Sequence, residues 1–175
     1  MDKEDKHYVK GIKEGDEWAF KQIFLMYYEP LCNFCWRDTN SKAVSEDLIQ
    51  EVFADLWHHR RASDPGRSIR LYLYQAVKNK ALDYLDHQKV VRQYQEDHRN
   101  ENRDIVKQEN LQKEDERFIA AAREAIYNLP PRTQQIYVLH REDGLTYQEI
   151  ARVMDVSVKT VEAHMGKALD TLRSE

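Results

Sequence analysis

The sequence predicts an all-α protein: two small helical domains joined by a polar linker, the C-terminal one a helix-turn-helix. Three observations carry this. Gly (5) and Pro (4) are scarce and 33% of the 175 residues are charged, which favours helices over a turn-rich β fold. Apolar residues recur at helical rather than alternating spacing. Near the C-terminus two helix-start signals, Thr146 and Ser157, follow in quick succession. The chain is long enough for one domain or two small ones, and its 41% hydrophobic content suits small cores.

The first domain, residues 1–90, builds its periodicity from about Asp5. Trp18, Phe20, Ile23, Phe24, Tyr27 and Leu31 share helical spacing behind Asp16, a plausible N-cap. The stretch Leu31 to Trp36 continues this packing beyond Pro30. A second helix is expected to start near Ser45, in Ser45-Glu46-Asp47-Leu48, with Leu48, Ile49, Val52, Phe53, Leu56 and Trp57 apolar. Phe53 is expected in the core. Ala62-Ser63-Asp64-Pro65-Gly66 is a turn cluster. A third helix is expected from Ser68 through Leu85.

From about His87 the pattern fades into Gln, Glu, Asp, Arg and Asn. Residues 91–115 are therefore expected to be a solvated, partly helical linker. The second domain, residues 116–175, opens with a helix carrying Phe118, Ile119, Ala122, Ile126 and Leu129. It stops at Pro130-Pro131, because a residue before proline disfavours helix, and Pro131 can begin the next one. That helix holds Ile136, Tyr137, Leu139 and His140 and ends at Asp143-Gly144.

Thr146-Tyr147-Gln148-Glu149 is a capping box. The short helix behind it carries Ile150, Ala151, Val153 and Met154, and small Ala151 admits the following helix. Asp155-Val156 forms the turn. Asp155 stands where glycine is common, and aspartate tolerates left-handed backbone better than most residues. Ser157 caps a last helix with Val158, Val161, Met165, Leu169 and Leu172 on one side. Lys159, Thr160, Ala163 and Lys167 fall on the opposite side, flanked by Glu162 and His164. A short helix, a tight turn and a helix with a small, polar, partly basic outer face match a major-groove reader. A helical hairpin inside a bundle also has a polar outer face; the two consecutive caps favour the DNA reading.

Charge is unevenly placed. The net charge of −4 argues against a tight, free-standing nucleic-acid binder. Arg60 to Arg92 nevertheless holds eight Lys/Arg against three acids, while Glu46 to Asp55 holds four acids and no base. The C-terminal domain has eight Lys/Arg and nine Asp/Glu, so it should bind DNA weakly alone. No apolar run approaches the ~20 residues of a membrane helix and the N-terminus lacks a signal-like stretch, so no membrane insertion and a cytoplasmic location are expected. Cys32 and Cys35 cannot form a disulfide framework and are expected to pack as small hydrophobes. Adjacent His58 and His59 do not face each other on a helix, so no metal site is expected. No phosphate loop, nucleophile motif or triad pattern occurs. A non-enzymatic protein without cofactors is expected.

Three stretches together resemble one family. Asn128-Leu129-Pro130-Pro131, Gly144-Leu145-Thr146-Tyr147-Gln148-Glu149-Ile150-Ala151 and Ser157-Val158-Lys159-Thr160-Val161 look like the last domain of bacterial RNA polymerase sigma factors. Glu46 to Trp57 resembles a helix of the second sigma domain, and Leu71 to Leu85 the promoter-melting helix after it. The order and intervening length are right over nearly the whole chain. With two lobes and a short linker, the sequence is most similar to the extracytoplasmic-function subgroup of the sigma-70 family.

The resemblance implies a transcription initiation factor. Its partners would be core RNA polymerase (the β′ clamp helices and the β flap), promoter DNA and an anti-sigma factor. Docking on the clamp helices would use Asp47, Leu48, Gln50, Glu51 and Asp55. Asp47, Glu51 and Asp55 do repeat at i, i+4, with Leu48, Val52 and Leu56 as an adjoining apolar strip. A solvated acidic face over a core-facing strip has the same pattern. The downstream promoter element would be met by Arg67, Arg70, Tyr72, Lys78, Asn79 and Lys80, since single strands are held by cations and ring or polar pockets. Tyr74 and Tyr84 also supply rings, at least one of the three tyrosines being core. The upstream element would be met by Ser157, Lys159, Thr160, Ala163, His164 and Lys167. An extended linker at ~3.3 Å per residue could span the roughly 50–60 Å between the two elements. Two weak sites so joined would reinforce each other. Two other readings remain: a dimeric, stand-alone helix-turn-helix regulator, and an enzyme or redox protein built around Cys32 and Cys35.

Overall fold

The computed structural model describes residues 3–64, 68–95 and 125–174; the side chains of residues 3, 4, 90–95 and 174 are excepted. Among the described residues there is no strand. The chain divides into two compact units, Met1–Arg92 and Gln93–Glu175.

The first unit opens with α1 (Lys3–Glu14), a helix that apolar periodicity does not announce. Its buried apolar residues, Val9 and Ile12, are too few for a periodic signal, and a polar side chain, Asp5, is buried beside them. Gly15, at φ +90°, closes α1, with Asp16 N–H donating to the Gly11 carbonyl at 2.9 Å. Asp16 at once caps α2 (Glu17–Thr39), its Oδ1 accepting from the N–H groups of Trp18 and Ala19 at 2.9 and 3.4 Å. Helix α2 runs through Pro30 without ending. Proline normally breaks a helix by removing an N–H and crowding the preceding turn. Here Ala19, Ile23, Tyr27, Leu31, Phe34 and Cys35 form one buried stripe across it, so continuing the helix keeps the whole stripe in the core.

Asn40, left-handed at φ +52°, ends α2, and Ser41 caps α3 (Lys42–His58). The helix thus starts before Ser45. The Ser45 hydroxyl is buried and lies 2.8 Å from both the Ser41 carbonyl and the Thr39 hydroxyl, a backward bond suited to a helix interior. Ile49, Val52, Phe53 and Leu56 face the core, where Phe53 meets Phe20 and Phe24 at ring distances of 6.1 and 4.8 Å. A 3-10 turn, Arg60–Ala62, follows.

Helix α4 spans Ile69–Gln95, with the Ser68 hydroxyl accepting from Leu71 N–H at 3.2 Å. Ile69, Leu73, Tyr74, Val77 and Ala81 form its buried face, and Tyr74 meets Phe34 of α2 at 5.2 Å. The helix runs ten residues past Leu85. Gln, Lys and Arg have good helix propensity of their own, so apolar periodicity alone ends the helix too early. The linker expected at 91–115 lies, beyond Gln95, outside the described residues, as do residues 116–124 of the next expected helix.

In the second unit, residues 125–127 are helical and Ala125 and Leu129 are buried. Pro131 begins α5 (Pro131–Arg141) at a position where its missing N–H has no cost. Helices α6 (Tyr147–Val153) and α7 (Val158–Ser174) follow. Ile136, Leu139, Leu145, Ile150, Val161, Met165 and Ala168 make the core between the three.

Candidate nucleic-acid and partner interfaces

The C-terminal unit is a helix-turn-helix held by local caps. The Thr146 hydroxyl accepts from Glu149 N–H at 3.2 Å, and Glu149 Oε2 accepts from Thr146 N–H at 2.9 Å, completing the capping box. Asp155 adopts φ +51°, the left-handed backbone its place in the turn requires. Ser157 Oγ then accepts from Thr160 N–H at 3.0 Å and starts α7. Val161, Met165 and Ala168 turn inward, while Ser157, Lys159, Ala163 and Lys167 are exposed. The six residues expected to read duplex line one open depression: Ser157, Lys159, Thr160, Ala163, His164 and Lys167. Two of them are tied back: the hydroxyls of Ser157 and Thr160 lie 2.8 Å apart, and His164 Nδ1 is 2.9 Å from the Thr133 hydroxyl on α5. Thr133 was invisible to sequence reasoning because its partner is far along the chain.

On α3 the acidic strip is a solvent face. Asp47, Gln50, Glu51 and Asp55 are exposed. Leu48 is not: at 9% exposure it belongs to the core with Val52 and Leu56. The expected apolar docking strip is therefore corrected to a core-facing one, because one position on from an outward carboxylate the helix has already turned inward.

The cations expected on the downstream element are differently placed. Lys80 Nζ lies 2.8 Å from Glu51 and 3.1 Å from Asp55, so an expected DNA contact pairs with two expected docking carboxylates. The Glu51 hydrogen bond is the main cause of a raised Lys80 pKa. Lys78 Nζ lies 2.9 Å from Asp38 on α2, in a pair whose side chains are 18% and 20% exposed. Arg70 hydrogen-bonds the Tyr27 phenol, which also donates to the buried Asp5 carboxylate at 3.1–3.2 Å. Burial first, with the Asp5 charge adding to it, pushes Tyr27 up to about 12 although Arg70 pulls the other way. The three described cations expected to meet the downstream element, Arg70, Lys78 and Lys80, are each engaged within their own lobe. Tyr72 and Asn79 are exposed, Tyr74 is core, Tyr84 is half-buried, and Arg67 lies outside the described residues.

The remaining groups have structural partners. Arg60 stacks over the Trp57 ring at 4.6 Å, and His58 and His59 turn Nδ1 back to the carbonyls of Ala54 and Asp55 at 2.8 and 2.9 Å. Cys32 and Cys35 carry free thiols whose pKa burial pushes up, which disfavours the reactive thiolate. No group of three or more potential metal ligands occurs among the described residues, and none of their helices is long and apolar enough to cross a membrane.

A capped helix-turn-helix in one unit and an acidic helix beside a long basic one in the other fit a nucleic-acid-directed regulatory protein. The family described as Sigma-70 region 2 matches residues 23–90, and Sigma-70 region 4 matches residues 119–172. Curated relatives include the ECF RNA polymerase sigma factor SigW of Bacillus subtilis, 24% identical over 97% of this chain and 95% of that protein. The ECF RNA polymerase sigma-E factor of Haemophilus influenzae is 26% identical over 98% and 94%. In fold the chain is similar to CnrH, solved in complex with the cytosolic domain of CnrY (TM-score 0.61, 21% identity, 98% of this chain and 96% of that one). It is also similar to the sigma factor RpoE of Bartonella quintana, solved in complex with the anti-sigma factor NepR (TM-score 0.63, 17% identity, 89% and 94%). The chain belongs to the sigma-70 family, in its extracytoplasmic-function subgroup. It is a promoter-directing factor of RNA polymerase and not an enzyme.

Proposed function

We propose that the first lobe docks on core RNA polymerase through the exposed face of α3 and engages the downstream promoter element through α4, while α7 reads the upstream element. Domain 1–90 then binds polymerase and melts the promoter, residues 91–115 link, and domain 116–175 reads duplex. The observation that carries this reading is the recognition face: all six residues expected to touch duplex line one outward depression at a helix that Ser157 caps.

The chemistry follows from the side chains. Asp47, Glu51 and Asp55 offer three carboxylates on one helix face to basic partner helices such as the β′ clamp. Tyr72 and Asn79 offer an exposed ring and amide to unstacked bases, with Arg67 and the α4 cations as phosphate partners. Lys159 and Lys167 reach phosphates or guanine edges, and Thr160 and His164 supply hydrogen bonds. The β flap is the second docking site on polymerase. An anti-sigma factor holding the free protein in the cytoplasm is supported by the two solved relatives, each recorded with a partner chain.

Transcription in vitro with bacterial core polymerase and genomic fragments tests this. The purified protein should bind core and direct initiation at defined start sites. A protein that does neither overturns the reading.

A further inference from the structure

Thr133, in the first turn of α5, is 1% exposed, and its hydroxyl lies 2.9 Å from His164 Nδ1 on α7. His164 is half-buried and lines the outer depression with Thr160 and Lys167. The two nitrogens of an imidazole sit on different edges, and which carries the proton is set by the bond the other makes. His164 Nδ1 faces buried Thr133, Nε2 lies on the other edge of the ring, and the residue lines the outward depression. A threonine hydroxyl can donate into Nδ1, which leaves the ring proton on Nε2 as an outward donor.

We propose that Thr133 is a positioning residue for base readout: it holds His164 so that Nε2–H donates to an acceptor on a base edge, with guanine N7 and O6 the best matched. This rests on the reading of α7 as the upstream-element reader. Directional locking is what a base edge needs. A phosphate, reachable from many angles by Lys159 and Lys167, gains little from a fixed ring. A bond that merely tied α5 to α7 would have no effect on which base is selected.

The experiment uses the full chain with bacterial core polymerase and a pool of duplexes randomised upstream of the start region. Bound and transcribed molecules are sequenced for the wild type, Thr133→Val, Thr133→Ser and His164→Gln. The wild type should select an upstream element with a guanine preference at one position. Thr133→Val should flatten that position by roughly fivefold, ~1 kcal/mol, and leave the others intact. Thr133→Ser should restore it. His164→Gln should change the same position, and adding Thr133→Val to it should change nothing more. Circular dichroism melts show that the variants are folded, and Thr133→Ala, which also lacks the hydroxyl, takes the place of Thr133→Val in every comparison if Thr133→Val is not. An unchanged profile in folded Thr133→Val, a uniform loss at all positions, or a flat profile in Thr133→Ser overturns the positioning role while upstream reading stands. A wild-type holoenzyme that selects no upstream element overturns both.

Discussion

Charge reversal at Glu51 separates docking from folding. The Glu51 side chain is 59% exposed and its Oε2 is 2.8 Å from Lys80 Nζ, which also holds Asp55 at 3.1 Å. Glu51→Lys removes one ion pair and sets two ammonium groups side by side. Exposed pairs contribute ~0.2–1 kcal/mol, and a surface lysine relieves repulsion by swinging into water. The stability loss should therefore be about 1 kcal/mol, a fall of ~4–8 °C in Tm for a lobe of this size. The core side of α3 (Ile49, Val52, Phe53, Leu56) is untouched. Losing a charge contact in a buried interface costs ~2–5 kcal/mol, so association with core polymerase should weaken by at least roughly thirtyfold. Fluorescence anisotropy of the labelled protein titrated with core polymerase measures this, with Glu51→Gln as an intermediate control. Unchanged association by folded Glu51→Lys would move the docking surface elsewhere.

Lys80→Met should keep or strengthen core association, because it leaves Glu51 and Asp55 unpaired, while weakening capture of melted promoter; permanganate footprinting of the holoenzyme reads the second effect. Thr146→Ala removes the hydroxyl half of the capping box (3.2 Å to Glu149 N–H) and should cost about 1 kcal/mol in urea melts, with Thr146→Ser recovering most of it. Gly11→Ala should destabilise the first lobe by ~1–2 kcal/mol: a Cβ there would sit 2.7 Å from that of Ala19 on the packed helix, and overpacking outweighs alanine's better helix propensity. Tyr27, pushed up to about 12 from 10.0, keeps its proton in the fold when the unfolded chain has lost it. Its contribution is whole below pH 10 and is lost as pH rises from about 10 to 12, on the order of 2–3 kcal/mol in all. Urea titrations across pH 8–11 should show a slope that Tyr27→Phe flattens; an equal slope in both proteins would remove the Tyr27 contribution.

What the sequence displayed clearly were features settled within one or two helical turns. The Asp16 cap, the Pro130-Pro131 boundary, the Thr146–Glu149 box, left-handed Asp155 and the Ser157 cap each depend on neighbours a few residues away. Start and stop positions misread for α3 and α4 have equally local causes: Ser45 resembles a cap but bonds backward, and polar residues extend α4 without periodicity. The polar pairs that shape the candidate sites were not legible. Asp5 meets Tyr27, Asp38 meets Lys78, Glu51 meets Lys80 and Thr133 meets His164 across separations of 22, 40, 29 and 31 residues. Only the packed fold chooses such partners.

These pairs change what the basic run in α4 can do. Counted along the sequence, Arg70, Lys78 and Lys80 are three positive charges waiting for phosphate. In the fold each already has an acceptor from another helix: the Tyr27 phenol, Asp38, and the Glu51–Asp55 pair. A phosphate must displace those acceptors, so for Lys78 and Lys80 the gain per contact is the difference between two ion pairs, and for Arg70 an ion pair less a hydrogen bond to a neutral phenol. For Lys80 the competing carboxylates lie on the proposed docking face itself. On the proposed reading, a basic surface that engaged Glu51 and Asp55 would lower the cost of handing Lys80 to DNA and so couple docking to strand capture through a single side chain. On that reading an acidic protein with weak separate sites would act on DNA chiefly when polymerase is bound.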